Sequence, residues 1–266
     1  MSVPRLQGLR IVVTRPRARS EELCFLLEEE GAEAVALPML ELEPPSDGRG
    51  LRAAAETLGR FSWVAFASSA AVEALAEAAR TAGTVAALKR LKVAAVGAGT
   101  ARAARAAGLE VTLECRQGTG ASLGEELAPR LQPGEEVLLP SAEQGRPELE
   151  AALQEAASLT VASGAAAPGP SVTRVAAYRS TPLAVAHAVW EDLRLRPPAA
   201  VLFASPRTAE AFLEAGGRPV LEKARPVAIG PTTATALVAL GFPPAGVAEH
   251  PQAVAFVEAA VRAIRG

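Results

Sequence analysis

The chain is poor in the side chains that usually do chemistry. Its 266 residues include two cysteines, two histidines, two tryptophans and one tyrosine. Cys24 and Cys115 stand far apart, without a Cys/His cluster around either, which argues against a zinc site, a Cys-His nucleophile pair or a disulfide scaffold. An excess of charge is missing as well. With 27 basic and 29 acidic residues the net charge is -2, not the basic surplus that a general nucleic-acid binder gathers on one face. No stretch of about 20 residues is apolar and charge-free, and Met1 to Arg10 carries Arg5 and Arg10 with no apolar core. Neither a membrane span nor an export signal is therefore expected, and a cytoplasmic location is. A G-x-x-x-x-G-K-[ST] loop is absent, which disfavours nucleoside-triphosphate hydrolysis, and a hydrolase nucleophile elbow is not expected.

What is present is a regular alternation. Short apolar runs alternate with Ala/Leu/Glu-rich stretches of helical period, the pattern of an α/β protein with parallel sheets. Leu9–Val13, Val35–Leu37, Trp63–Ala67, Lys92–Val96 and Glu136–Leu139 read as strands, and Val172–Tyr178 alternates as an extended segment. Helices are expected from an N-cap at Ser20 to a stop at Gly31, over Ala70–Arg80, over Arg102–Ala107 and over Glu148–Ala157. Glu41–Gly50, with Pro44-Pro45 and Asp47-Gly48, reads as a linker or turn, and Gly164–Pro170 as a loop. A length of 266 suits two domains of ordinary size. It also contains a repeat: Trp63–Ser69 resembles Ala200–Pro206, Val93–Ala101 resembles Val227–Ala234, and more loosely Leu9–Pro38 corresponds to Glu136–Tyr178.

The candidate chemistry sits just after the strands. Thr14-Arg15-Pro16, Ser68-Ser69-Ala70, Gly97 with Thr100, Ser141, Ser205-Pro206, and Gly230 with Thr232 and Thr233 all occupy that position. In open parallel sheets the ligand crevice lies beyond the carboxyl ends of the strands, and each following helix starts with unpaired N–H groups and a positive dipole end. A serine there is most often a plain helix cap; its recurrence in both halves points to anion seats. Arg15, Arg146 and Arg207 are placed to meet carboxylates or phosphates. Tyr178, the single tyrosine, offers a neutral phenol that can donate a proton to a leaving group. His187 and His250 read as surface residues. Gly97-Ala98-Gly99-Thr100-Ala101-Arg102 begins like a dinucleotide fingerprint, but Arg102 stands where a small residue is needed for close packing, and no acidic residue is expected at the end of the next strand.

Taken in order, Val12-Val13-Thr14-Arg15-Pro16, Leu37-Pro38, Trp63 to Val72, Ala95-Val96-Gly97 with Thr100-Ala101, Val175 to Arg179, Phe203 to Pro206 and Ala228 to Ala234 resemble the uroporphyrinogen-III synthase family over nearly the whole chain. The chain departs from the family pattern at Ala67 and Ala70, where Thr and Asn are frequent, which favours backbone contacts there. The resemblance implies two similar flavodoxin-like α/β domains with parallel sheets flanked by helices, a two-stranded linker and a cleft between the domains. It assigns 1–38 and 180–266 to one domain, 44–171 to the other, and 39–43 and 172–179 to the connecting strands. It further implies a cofactor-independent lyase without a metal, acting as a monomer on hydroxymethylbilane, with a transient contact to the preceding pathway enzyme. Tyr178 would be the catalytic residue and the turn residues would bind substrate. A two-lobed binding protein for an anionic ligand is the alternative from another class.

Overall fold

The computed structural model describes residues 4–162 and 169–266. Among these, eleven strands follow in chain order: β1 (Arg10–Val13), β2 (Glu33–Ala36), β3 (Leu40–Glu43), β4 (Trp63–Phe66), β5 (Lys92–Ala95), β6 (Val111–Glu114), β7 (Glu136–Ala142), β8 (Ser171–Pro182), β9 (Ala200–Phe203), β10 (Arg225–Ala228) and β11 (Gly246–Val247). They form two sheets in two compact units, Met1–Glu41 with Thr181–Gly266, and Leu42–Ser180. The chain thus passes from one unit to the other twice, once within β3 and once within β8, which are neighbours in the six-stranded sheet.

The first unit holds the order β11-β10-β9-β1-β2, with every pairing parallel. Numbered along the chain within this unit, that is the 2-1-3-4-5 order of a flavodoxin-like sheet, which reverses direction between β1 and β9. The second unit has the order β3-β8-β7-β4-β5-β6. Setting aside the edge strand β3, it repeats the same 2-1-3-4-5 order if β7 and β8 are counted as its first and second strands. The reversal then falls between β7 and β4. The correspondence of Leu9–Pro38 with Glu136–Tyr178 therefore has a structural counterpart: each strand-helix-strand piece packs in the sheet that holds the other half's repeat.

Burial explains why the strands read as continuous apolar runs. Every residue of β4 and β9 is buried, because helices cover both faces of each sheet. In the first unit Ile11 and Val13 face a cluster with Leu23, Leu27 and Phe256, while Val12 faces the opposite cluster with Val201, Phe203, Trp190 and Phe212. The Phe212 ring meets Trp190 and Phe203 edge-on at centroid distances of 5.1 and 5.4 Å. Each such buried aromatic stabilises the unit by about 1.5–3 kcal/mol relative to an exposed one. In the second unit Val64 and Phe66 point to one side of the sheet, with Leu75 and Val93, and Trp63 and Ala65 to the other, with Leu123 and Val137.

Several local expectations are corrected. Ser20 does not cap the helix Glu21–Glu29; its hydroxyl donates instead to the Arg17 carbonyl. Within Glu41–Gly50, residues 41–43 belong to β3 and the helix Arg49–Glu56 has already begun at 49, so only 44–48 connect. The strand at Glu136 does not stop at Leu139 but runs through Pro140 and Ser141, because β8 pairs alongside it as far as Ala142 opposite Tyr178. Of the expected loop at Gly164–Pro170, residues 164–168 lie outside the described residues.

Candidate active site

In the first unit, the turns after β1, β9 and β10 gather at the carboxyl edge of the sheet. Thr14 is fully buried and its hydroxyl donates to the Leu202 carbonyl at 2.8 Å, so it ties β1 to β9 instead of presenting a free hydroxyl. Ser205 caps the helix Pro206–Glu214: its Oγ accepts from the Thr208 N–H at 3.2 Å, and Thr208 Oγ1 accepts from the Ser205 N–H at 3.2 Å. Proline suits the first helical position because its missing N–H would be unpaired there anyway, and Pro206 and Pro231 both stand at it. Gly230 precedes the helix Pro231–Ala239 in an extended conformation, with no atom within 4 Å of where a Cβ would stand; Thr232 is exposed and Thr233 buried.

The two arginines of this edge differ. Arg207 is engaged by Glu210 at 3.3 Å and Glu214 at 3.1 Å. Arg15 is half-buried, and its guanidinium makes no ion pair or hydrogen bond with the described residues. Burial, reinforced by the nearby charge of Arg19, holds its pKa below the ordinary arginine value. A cation in that state gains from any carboxylate brought to it.

In the second unit, the single tyrosine meets the turn after β4. Tyr178 lies half-buried near the end of β8 and packs its ring on the core; its hydroxyl stands 3.1 Å from Ser68 Oγ. Ser68 caps the helix Ser69–Thr81, accepting from the Ala71 N–H at 3.2 Å. The Tyr178 carbonyl accepts from the Glu143 N–H at 2.7 Å, fixing the backbone beside the phenol. Ser69 opens the helix and Ala70 is buried. Gly97 starts the helix Ala98–Ala106 in an extended conformation that matches Gly230, while Thr100 is buried one turn on. Ser141 Oγ accepts from Arg174 Nε at 2.9 Å, and Arg146 is exposed in the turn that follows β7.

The structure thus groups the site residues into two sets, one on each sheet's carboxyl edge, and not all of them expose the side chain the sequence suggested. Sequence reasoning missed Arg174, whose signal was a charged residue at a half-buried position between Val172 and Val175. It also missed Thr119, which caps the helix Gly120–Leu127 next to Gly118, the glycine that faces Gly97.

A G-x-S-x-G pattern does occur, at Gly120–Gly124. Ser122, however, is buried inside the helix, hydrogen-bonded to Thr119 and Gln117, and is no exposed elbow nucleophile. Arg102 is exposed and obstructs nothing; Ala101 and Ala104 make the helix contact with the core. The strand after Gly97 does end in an acid, Glu114, which is tied to Arg105 at 3.1 Å. His187 and His250 are exposed, as expected. Among the described residues, no cluster of three or more His, Cys, Asp or Glu side chains could hold a metal ion, and no helix is long and apolar enough to cross a membrane.

Two α/β units of flavodoxin-like strand order, each with hydroxyl side chains, glycines and helix starts at the carboxyl edge of its sheet, define the fold class. Residues 21–258 match the family model described as uroporphyrinogen-III synthase HemD, and the chain belongs to that family, cyclising lyases of tetrapyrrole synthesis. Solved structures agree on the fold. A mutant uroporphyrinogen III synthase from the extremely thermophilic bacterium Thermus thermophilus is 24% identical with a TM-score of 0.66, covering 97% of this chain and 99% of that one. Uroporphyrinogen-III synthetase from Helicobacter pylori is 19% identical with a TM-score of 0.60, covering 95% and 97%. No curated protein matches the chain.

Proposed function

We propose that this protein converts hydroxymethylbilane to uroporphyrinogen III with Tyr178 as proton donor and the strand-end turns as carboxylate seats. The observation that carries the assignment of roles is the Tyr178 hydroxyl, the chain's one phenol, held 3.1 Å from the Ser68 cap at a helix start. Protonation of the substrate's hydroxymethyl oxygen lets water leave and an azafulvenium form. The substituted carbon of ring D attacks it, the resulting spiro intermediate fragments, and reclosure inverts ring D. The last closure releases a proton as the pyrrole regains aromaticity, so the phenol is restored and no co-reactant is consumed.

Positioning is most of the work in such a reaction. The substrate carries eight carboxylates. In the first unit Arg15 takes one of them, and the helix starts at Pro206 and Pro231 offer N–H groups to others; in the second unit the starts at Ser69 and Ala98 do the same. Gly97 and Gly230 let the ligand approach the backbone closely. Thr14, Thr100 and Thr233 support these turns from inside, and Pro16, Ala70, Ser141, Arg146 and Thr232 complete the lining. The reading keeps the domains as 1–38 with 180–266 and 44–171, with 39–43 and 172–179 connecting, and the protein as a cytoplasmic monomer that briefly meets the enzyme supplying its labile substrate.

Added in catalytic amount, the protein should make hydroxymethylbilane disappear faster than it cyclises unaided. Saturable binding without acceleration would favour a binding protein instead.

A further inference from the structure

Arg174 stands outside the roles above, yet one guanidinium joins the end of β7, the turn that follows it and the helix beyond. Its Nε donates to Ser141 Oγ at 2.9 Å, its Nη2 to the Gly145 carbonyl at 2.8 Å, and its Nη1 meets Glu150 at 3.3 Å on the following helix. The strand register places Arg174 opposite Leu139, two residues before Ser141. The turn it holds is tight: Gly145 N–H donates to the Ala142 carbonyl at 2.9 Å, and a Cβ on Gly145 would stand 2.8 Å from that carbonyl and 3.3 Å from Arg174 Nη2.

We propose that Arg174 is a positioning residue that makes the Ser141 hydroxyl a directed, strengthened donor for a substrate carboxylate. Ser141 Oγ already accepts from the cation, so its own proton points elsewhere. Its acceptor among the described residues is the Ala142 carbonyl at 3.3 Å, long for an O–H···O bond and already shared with Gly145. An incoming carboxylate offers that proton a better partner. The positive charge behind the oxygen strengthens the bond, as charge does for hydrogen-bond donors generally. Glu150 meanwhile engages the other side of the guanidinium, so Arg174 acts through Ser141 and does not take the carboxylate itself.

The inference rests on the proposed role of Ser141 in binding, and the test separates the two. Arg174→Met, Arg174→Gln, Arg174→Lys, Ser141→Ala and the double variant Arg174→Met/Ser141→Ala are compared by KM and kcat for hydroxymethylbilane, with thermal melting of each. Arg174→Met should raise KM about tenfold with kcat within about twofold, and Arg174→Lys should recover part of that loss. Arg174→Gln, which keeps a neutral donor, preserves the turn if charge is not needed to fold it; it should still raise KM. The double variant should be no worse than Ser141→Ala alone, because both remove the same interaction. Additive losses, or a raised KM in Ser141→Ala alone with normal KM in the Arg174 variants, would overturn the role of Arg174 and leave the Ser141 seat standing. Unchanged KM in Ser141→Ala would overturn both.

Discussion

Tyr178 and Ser68, 110 residues apart in the chain, are joined by a 3.1 Å hydrogen bond that sets the phenol at the start of a helix. Because Ser68 Oγ also accepts from the Ala71 N–H, it anchors the tyrosine to a fixed point of the backbone. Tyr178→Phe should lower turnover of hydroxymethylbilane by about a hundredfold or more while KM stays within about twofold. Ser68→Ala should lower turnover less, and also cost about 1 kcal/mol of stability through the lost cap. Steady-state rates corrected for spontaneous cyclisation check both; unchanged turnover in Tyr178→Phe would remove the phenol from the chemistry.

The contrast between Arg15 and Arg207 gives a second test. Arg15→Met removes an unengaged cation and should raise KM about tenfold or more, with Arg15→Lys recovering part of the loss. Arg207→Met removes a group already held by Glu210 and Glu214, so its KM should change little. Equal effects of the two substitutions would show that the carboxylate does not single out the unpaired arginine.

Two glycines separate ligand access from packing. A Cβ at Gly230 meets nothing within 4 Å, so Gly230→Ala should melt like the parent protein but bind substrate more weakly. A Cβ at Gly217 would stand 2.2 Å from the Phe212 ring. Gly217→Ala should therefore cost about 1–3 kcal/mol through overpacking and lower Tm, with KM unaltered in the cold. Melting curves alongside KM distinguish the two; a Gly230→Ala protein that binds normally would argue against close backbone approach at that turn.

Acid sensitivity follows from Arg5. Its guanidinium bonds both Glu30 and Glu258, and these bonds hold both carboxyl groups below their ordinary value of 4.5. A carboxyl depressed in the folded state contributes stability above its unfolded pKa and loses it as pH falls through the folded one. Tm should hold between pH 7 and about 5 and fall below about 4, and Arg5→Met should start lower and fall less steeply. Parallel curves for the two proteins would show that this cluster does not carry the acid dependence.

Much of the fold was legible because buried strands leave a plain signal: Ile11–Val13, Val64–Phe66 and Val201–Phe203 are apolar on both faces. The internal repeat was legible too, and its partners prove alike in backbone, with φ of -159° at Ser68 and -163° at Ser205 and near-extended Gly97 and Gly230. The helix Arg49–Glu56 was hidden because Pro44-Pro45 and Asp47-Gly48 announce a turn and no hydroxyl cap precedes it. Side-chain roles were harder to read. Thr14 and Thr100 have the right residue type and place, but whether a hydroxyl is free depends on burial and on partners such as Leu202, nearly 190 residues away. The same holds for Arg174, whose meaning lies in Ser141 across a strand pairing that no local pattern encodes.

Steering of ring closure through the hindered carbon of ring D is read from the isomer that the protein makes. Hydroxymethylbilane is supplied fresh, the products are oxidised, and the type I and type III porphyrins are separated and compared with a protein-free control. Predominantly type III is expected with the protein and type I without it; type I alone in both would show that the protein does not invert ring D.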